Sequence, residues 1–394
     1  MIGRRGALWY NAPREVNKMM TYEWARPEDE GALLDLINLV FALGGNHTDF
    51  RELIPRVYGK TGFAENSLLA KEDGAVRGVV SYASGNLVAG GQELKFGFIG
   101  NVATHPYARG QGVMQVLMQG VMDRLRDIGC DFAILGGQRQ RYQRHGFELG
   151  SSKLTLRFTG RSLRHALAGD KPAYRFVPLE QAPARDVDSA WALHNEGALH
   201  VARSREDFPV TLRTWLGRTL LAYRDEALQG YLTLYSGRVG EFRVRDQKRL
   251  PHVLAALMAF DNQDSLELTL QTEALRLHPA LFAAADSWEH APVYMLRVFN
   301  WQRFLGVLLS WKAGFTALRE GSRVLEIRGE DRLLLQVRDG LPRVSRTEDP
   351  ADLTLGHQEA VRLLTLPYPE ELFPGQPFLN WFPLPFDFPE ADAF

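Results

Sequence analysis

The sequence predicts an α/β chain of mixed (α+β) sheets in three units, and three observations carry that expectation. Strand-like and helix-like periodicities alternate through residues 1–158, and the same coarse order returns through 159–297. A shorter run, 298–394, has a hairpin pattern of its own. The length of 394 residues is more than one core ordinarily organises and suits two or three domains.

Composition narrows the function classes. The 46 basic and 47 acidic residues leave a formal net charge of -1, so the global basic balance typical of a nucleic-acid binder is missing and no nucleic-acid partner is expected. Apolar residues make up 45% of the chain, which is too many for a disordered one. The one cysteine, Cys130, excludes an internal disulfide and a Cys-rich zinc knuckle, and its apolar surroundings predict a buried thiol. The ten His residues form no HExxH pair, so no metal is expected. The most apolar window, Met295 to Trp311, is broken by Arg297, Asn300 and Arg303 and reads as soluble core, with no membrane partner and a cytoplasmic location expected.

In the first unit, apolar residues at 32, 33, 36, 37, 40 and 41 predict a helix over Asp29–Leu43, and a short helix follows near Phe50–Ile54. Ser67–Lys71 and Ala75–Tyr82 flank Glu72-Asp73-Gly74, a hairpin signal. Leu94–Thr104 reads as a long strand. Pro106 ends it, and a helix runs from Gly112 to about Asp127 with Val113, Leu117, Val121, Leu125 and Ile128 on its buried face. The glycine-bearing turn between strand and helix leaves backbone N–H groups free at a helix N-terminus, where Arg109 adds charge. The pattern alone leaves two readings open: a phosphate cradle or an ordinary tight turn. It is neither a Walker A motif nor a Rossmann fingerprint. A buried strand at Asp131–Leu135 leads into Gly136–Phe147, where Arg139, Arg141, Arg144 and His145 surround Tyr142. This cluster is either a solvated basic surface or a Tyr hydroxyl facing a negatively charged ligand.

The second unit repeats the order: a helix at Arg185–His194, strands at Leu220–Tyr223, Leu228–Tyr235 and Val239–Arg243, a helix at Leu250–Phe260 and a strand at Leu266–Leu270. Its strand-to-helix connection, Val244–Pro251, has no glycine nest, so this copy is expected to lack a cofactor site. In the third unit Trp301–Leu309 is helical, Ser322–Arg328 and Arg332–Arg338 form a hairpin, and Asp352–Leu355 and His357–Thr365 are a short strand and helix. The last residues, from Pro377 to Phe394, are too aromatic for a frayed end and should be docked.

Val102…Pro106…Arg109-Gly110-Gln111-Gly112-Val113 resembles motif A of the GCN5-related N-acetyltransferases. Met114 at the end of the motif, the Tyr142–Phe147 segment and the chain length look like the Eis-like ("enhanced intracellular survival") subgroup. The resemblance implies an N-terminal acetyl-CoA-binding domain, a degenerate acetyltransferase-like central domain and a sterol-carrier-like C-terminal domain, with boundaries at 158/159 and 297/298. It implies acetyl-CoA as cosubstrate, held by Val102, Thr104, Arg109, Gly110, Gln111, Gly112 and Val113. Tyr142 would be the general acid and the carboxylate of Phe394 the general base, with His145 as the local rival. Aminoglycosides would be the acceptors and a homohexamer the assembly, while the residue before the terminal Phe leaves a smaller amine, a polyamine, a peptide or a protein lysine as alternative acceptors. Asp387, Glu390, Asp392 and Asp49 are candidates to line a site for a cationic amine. The family's aminoglycoside enzymes commonly carry an acidic residue before the terminal Phe, where this chain has Ala393. Two rival readings use the same residues: a non-catalytic coenzyme A-binding scaffold, and a hydrophobe-binding protein that uses the C-terminal unit.

Overall fold

In the computed structural model, which describes residues 19–167, 169–170, 173–270, 279–367 and 380–394, the strands gather into three sheets. Lys171 and, in the aromatic tail, Pro377, Phe378 and Leu379 lie outside the described residues. The first sheet has the order Met20–Trp24, Ser67–Glu72, Ala75–Ala89, Gln92–Thr104, Phe132–Leu135, Met295–Val298, Glu148–Leu149, and Leu199–Val201 adds to Ala75–Ala89. The Asp73-Gly74 turn joins its strands with φ of 51° and 78°, the left-handed pair that a two-residue hairpin requires. A second such turn at Gly90-Gly91 joins Ala75–Ala89 to Gln92–Thr104. The expected strand end at Tyr82 was too early, because Ser84-Gly85-Asn86 has poor strand propensity and is held extended by pairing with Lys95–Gly97, while Leu199–Val201 pairs on the other edge only from Leu87 onward.

Val113–Asp127 is helical and buries Val113, Leu117, Val121 and Leu125 at 2% exposure or less, so it covers the face of the sheet as its periodicity requires. The strands Gln92–Thr104 and Phe132–Leu135, which flank this helix in sequence, pair in parallel. The second sheet repeats the unit. Arg238–Val244 and Ser265–Leu270 are parallel across the helix Leu250–Phe260. There, Asp246 accepts from the Lys248 N–H at 3.0 Å and caps the short turn Gln247–Arg249 that leads into the helix, in a connection without glycine.

Pairing crosses the boundaries read from chain order. Ser152–Thr159 lies in the second sheet, between Ser265–Leu270 and Ser287–Pro292, and Met295–Val298 lies in the first, against Phe132–Leu135. Periodicity marks a segment as a strand but says nothing of its partner. All four residues of Phe132–Leu135 are buried, and a strand so placed needs a neighbour on each edge to satisfy its backbone. In the third sheet the expected hairpin forms, and Leu341–Arg346 adds an edge strand that the reading missed. Pro342 obscured it, since proline is tolerated only at such edges.

The terminus is docked. Phe388 is fully buried, with ring centroids 4.9 Å from Phe96 and 5.4 Å from Phe98, and Phe386 packs on Phe132 and Phe304 at 5.5 and 5.7 Å. At about 1.5–3 kcal/mol for each buried Phe, this is a strong hold on a chain end. A buried ion network adds direction to it. Arg203 bonds both Glu241 oxygens at 2.8 and 2.7 Å and both Asp392 oxygens at 3.2 and 2.6 Å. The two carboxylates hold the Arg203 guanidinium well above its ordinary pKa. Arg203→Ala strands two buried carboxylates. The expected outcome is a loss of about 3–5 kcal/mol in urea unfolding, larger than for removal of an exposed pair such as Arg126–Asp123.

Candidate active site

The strand Gln92–Thr104 changes character at Phe98. Its parallel pairing with Phe132–Leu135 stops at Phe98↔Ile134, while on its other edge Gly100 pairs with Ser81 and Ala103 with Val79. Asn101 and Val102 therefore oppose the single residue Val80, a β-bulge, and Asn101 sits at φ 49°. Bulge and splay together free backbone groups along Gly100–Thr104 on the side facing Tyr142.

Beyond this strand lies a cleft of about 630 Å³ lined by Val102, Thr104, Arg109, Gly110, Gly112 and Val113 among others. Gly110 and Gly112 have φ of 79° and 76°, values that favour glycine, and Gly112 opens the helix without a side-chain cap. The N–H groups of Gly110, Gln111, Gly112, Val113 and Met114 have no protein acceptor among the described residues. Five donors on a helix N-terminus, with Arg109 exposed beside them, fit a pyrophosphate. The Gln111 side chain turns away to the Tyr107 carbonyl at 3.1 Å, so only its backbone faces this nest.

A second cavity of about 390 Å³ adjoins the cleft and shares Val102 and Arg141 with it. Tyr142 and Phe394, at opposite ends of the expected proton path, both line it. Tyr142 stands on the short helix Arg139–Gln143 and is buried, which pushes its phenol above the ordinary value, with the Arg141 guanidinium opposing the shift. Phe394 is seated against Gly100. A Cβ there would meet the Phe394 ring at 2.7 Å and its terminal carbonyl carbon at 2.8 Å, so only glycine leaves room for the chain end. Tyr58 flanks the Phe394 ring at 6.0 Å and accepts a hydrogen bond from the Asn101 amide, while Arg56 donates to the Asp392 and Ala393 carbonyls. His145 lines the larger cleft rather than the cavity of Phe394, and burial, then Arg144 and Arg297, keep its imidazole below the usual pKa and neutral at pH 7.

The acidic residues expected at the acceptor site separate in space. Asp49 caps the helix Phe50–Leu53, accepting from the Arg51 N–H at 2.7 Å, and is exposed. Asp392 is bound to Arg203. Asp387 is buried among the tail rings, and burial raises its carboxyl to about 7. Only Glu390 reaches the cavity, and Lys153 and Arg238 pair with it at 3.1 and 2.7 Å. The walls are instead aromatic: Phe41, Phe50, Phe98, Trp215 and Tyr294. Trp215 and Gly100 were not read from the sequence. A glycine followed by Asn inside a strand does signal a bulge or a close approach, so Gly100 was within reach; Trp215 arrives from the second unit and had no local signal. Among the described residues no group of three or more His, Cys, Asp or Glu side chains is placed to hold a metal ion, and no helix is long and apolar enough to cross a membrane.

With this geometry in view, residues 21–150 match the acetyltransferase (GNAT) domain family. The chain is similar in fold to a GCN5-related N-acetyltransferase from Anabaena variabilis (TM-score 0.70, 18% identity, 95% of this chain and 100% of that one). It is similar also to one from Kribbella flavida (0.63, 18%, 89% and 90%) and to Eis1 from Mycobacterium abscessus (0.61, 16%, 88% and 89%). Compared with curated proteins the sequence has no significant match. The domain match and the fold support an N-acetyltransferase, and domains of this type use acetyl-CoA.

Gly100→Ala should unseat the terminus. At an overpacking cost of about 1–3 kcal/mol, carboxypeptidase should release Phe394 about tenfold faster than from the parent chain. Asp387 sets a pH dependence. Its folded value near 7 lies above the unfolded value of 3.8, so its contribution is complete below about pH 4 and is lost as pH rises through 7. Asp387→Asn should therefore gain on the parent in urea midpoint between pH 4.5 and 7.5, since the variant no longer carries a carboxyl that must ionise.

Proposed function

We propose that the protein is an acetyl-CoA-dependent N-acetyltransferase that moves the acetyl group directly to an amine. The carrying observation is the adjoining pair of spaces: a donor-rich cleft at Arg109–Val113, and a cavity in which Tyr142 and the Phe394 terminus both lie. Two rivals would need only part of this arrangement. A coenzyme A-binding scaffold has no use for a seated terminal carboxylate, and a hydrophobe carrier has no use for five aligned N–H donors.

When bound, acetyl-CoA supplies the activated acetyl group. The N–H nest and Arg109 hold the pyrophosphate, and the free backbone groups at Val102 and Thr104 grip the pantetheine. The Phe394 carboxylate orients the acceptor ammonium and takes its proton, directly or through a water. An α-carboxylate, with a reference pKa of about 3.5, is a weak base, so its larger part in the step is to orient the ammonium. The amine nitrogen then bonds to the acetyl carbon as the carbon–sulfur bond breaks, Tyr142 gives its proton to the leaving thiolate, and the phenolate takes back the proton that the acetylated nitrogen sheds to become an amide, directly or through a water. A phenol raised by burial still suits this step, because it stays protonated at neutral pH. His145 is the poorer base on position, since it lines the cofactor cleft. The resemblance to Eis-like enzymes names aminoglycosides as acceptors and extends the reading to a hexamer, with light scattering as the test of assembly; Ala393 before the terminus keeps smaller amines, polyamines, peptides and lysine side chains as alternative acceptors, and a cytoplasmic location goes with the reading.

Incubation with acetyl-CoA and a panel of amines, read by thiol release, tests the reading; bound coenzyme A without transfer to any amine would favour the scaffold. Tyr142→Phe should lower kcat by about 10²-fold or more while leaving the affinity for acetyl-CoA within about twofold. One alanine appended after Phe394 should do the same by displacing the carboxylate, and unchanged turnover would reduce the tail to packing.

A further inference from the structure

The cavity beside Tyr142 contains the information needed to choose among amines. Its charges are few. Glu390 is neutralised by Lys153 and Arg238, which pair with it at 3.1 and 2.7 Å, and Arg141 brings a positive charge to the rim. Asp387 and Asp392 do not line it, and Asp49 is on the exposed surface. The terminal carboxylate of Phe394 is the one anion of the lining that has no ion-pair partner among the described residues. A site with one free carboxylate compensates one ammonium. A polycation would bring further charges that must be desolvated against aromatic walls and Arg141 with nothing opposite them, which is a specificity penalty rather than a neutral choice.

The walls show what accompanies that ammonium. Phe41, Phe50, Phe98 and Tyr294 come from the first sheet and its covering elements, and Trp215 closes the cavity from the second unit. Trp215 and Leu216 both have left-handed backbones, φ 58° and 57°, a conformation that bulky residues rarely adopt and that two in succession adopt only under strong constraint. Leu216 points to solvent at 59% exposure, whereas Trp215 lines the cavity, so the unusual turn delivers the indole to the ligand space. The volume of about 390 Å³ lies within the range of small-ligand pockets.

We infer that the acceptor is a monoamine bearing an aromatic or similarly apolar group, with its ammonium at the Phe394 carboxylate and its apolar part against Trp215 and Phe41. This rests on the acetyltransferase reading above. Aromatic walls hold a planar apolar group by area and ring geometry, and they tolerate a single cation through its attraction to ring faces. Trp215 then acts as a specificity-determining residue for the acceptor and has no part in holding acetyl-CoA.

Two measurements test this separately from the transferase reading. In thiol-release assays, 2-phenylethylamine and tryptamine should show kcat/KM about tenfold or more above spermidine and kanamycin. Trp215→Ala should raise KM for 2-phenylethylamine about fivefold or more with KM for acetyl-CoA unchanged, and Trp215→Phe should restore most of the difference. Phe41→Ala, on a different element, should shift KM in the same direction and covers the case in which Trp215→Ala folds poorly. A preference for spermidine or kanamycin over the arylalkylamines, or variants that move kcat alone, would overturn the inference while leaving the transferase standing. Calorimetric titration of 2-phenylethylamine into the full chain supplies the second readout. Binding without transfer to any amine would sink the transferase reading and keep the ligand class, and absence of both would sink the ligand class as well.

Discussion

The contact between the chain end and Gly100 organises the rest of this molecule. Phe394 can lie against the strand Gln92–Thr104 only because position 100 has no side chain, and it stays there because residues far apart in sequence hold what precedes it. Phe386 and Phe388 are driven into the first core by their area, while Arg203 and Arg56 fix the last turn by charge and hydrogen bonds. Burial alone would hold the tail without setting its register. The ion pair alone would cost more in desolvation than it returns. Together they place one carboxylate within a small aromatic space.

The same strand serves two spaces for one geometric reason. Where its parallel partner ends at Phe98, the sheet opens, and the bulge at Asn101–Val102 turns backbone groups into the gap. One side of the gap leads to the helix N-terminus with its unpaired N–H groups, and the other leads to the cavity of Tyr142. A long thin cosubstrate and a compact acceptor can therefore meet without either crossing the core. The second unit, built on a similar plan, differs here: a short turn capped by Asp246 precedes its helix, and no glycine pair opens that turn. Its contribution is structural, through Arg203 and Glu241, and local, through Trp215.

How much was legible in the residues varies with how local the cause is. The Asp73-Gly74 hairpin and the Val113–Asp127 helix follow from turn chemistry and period, which neighbours in sequence settle. The glycine turn before that helix was likewise readable as a turn, since two glycines and a proline at that spacing admit few backbones, while its pattern left a phosphate cradle and an ordinary tight turn both open. The exchange of Ser152–Thr159 and Met295–Val298 between sheets was not, because strands of similar pattern can pair with any edge that needs them. The acidic lining failed for a related reason. Carboxylates close in sequence along the tail point into different surroundings once an irregular segment is packed, and each found its own cation or was buried.

By itself, then, the sequence determined the elements, the glycine turn that leaves a helix N-terminus open and the improbability of a loose aromatic end, all of which depend on periodicity, backbone freedom or hydrophobic area within a few residues. Only the tertiary structure decided where that end goes, that Gly100 makes space for it, and that Trp215 completes the cavity. Those outcomes depend on contacts between segments far apart in the chain, for which a linear pattern carries no register.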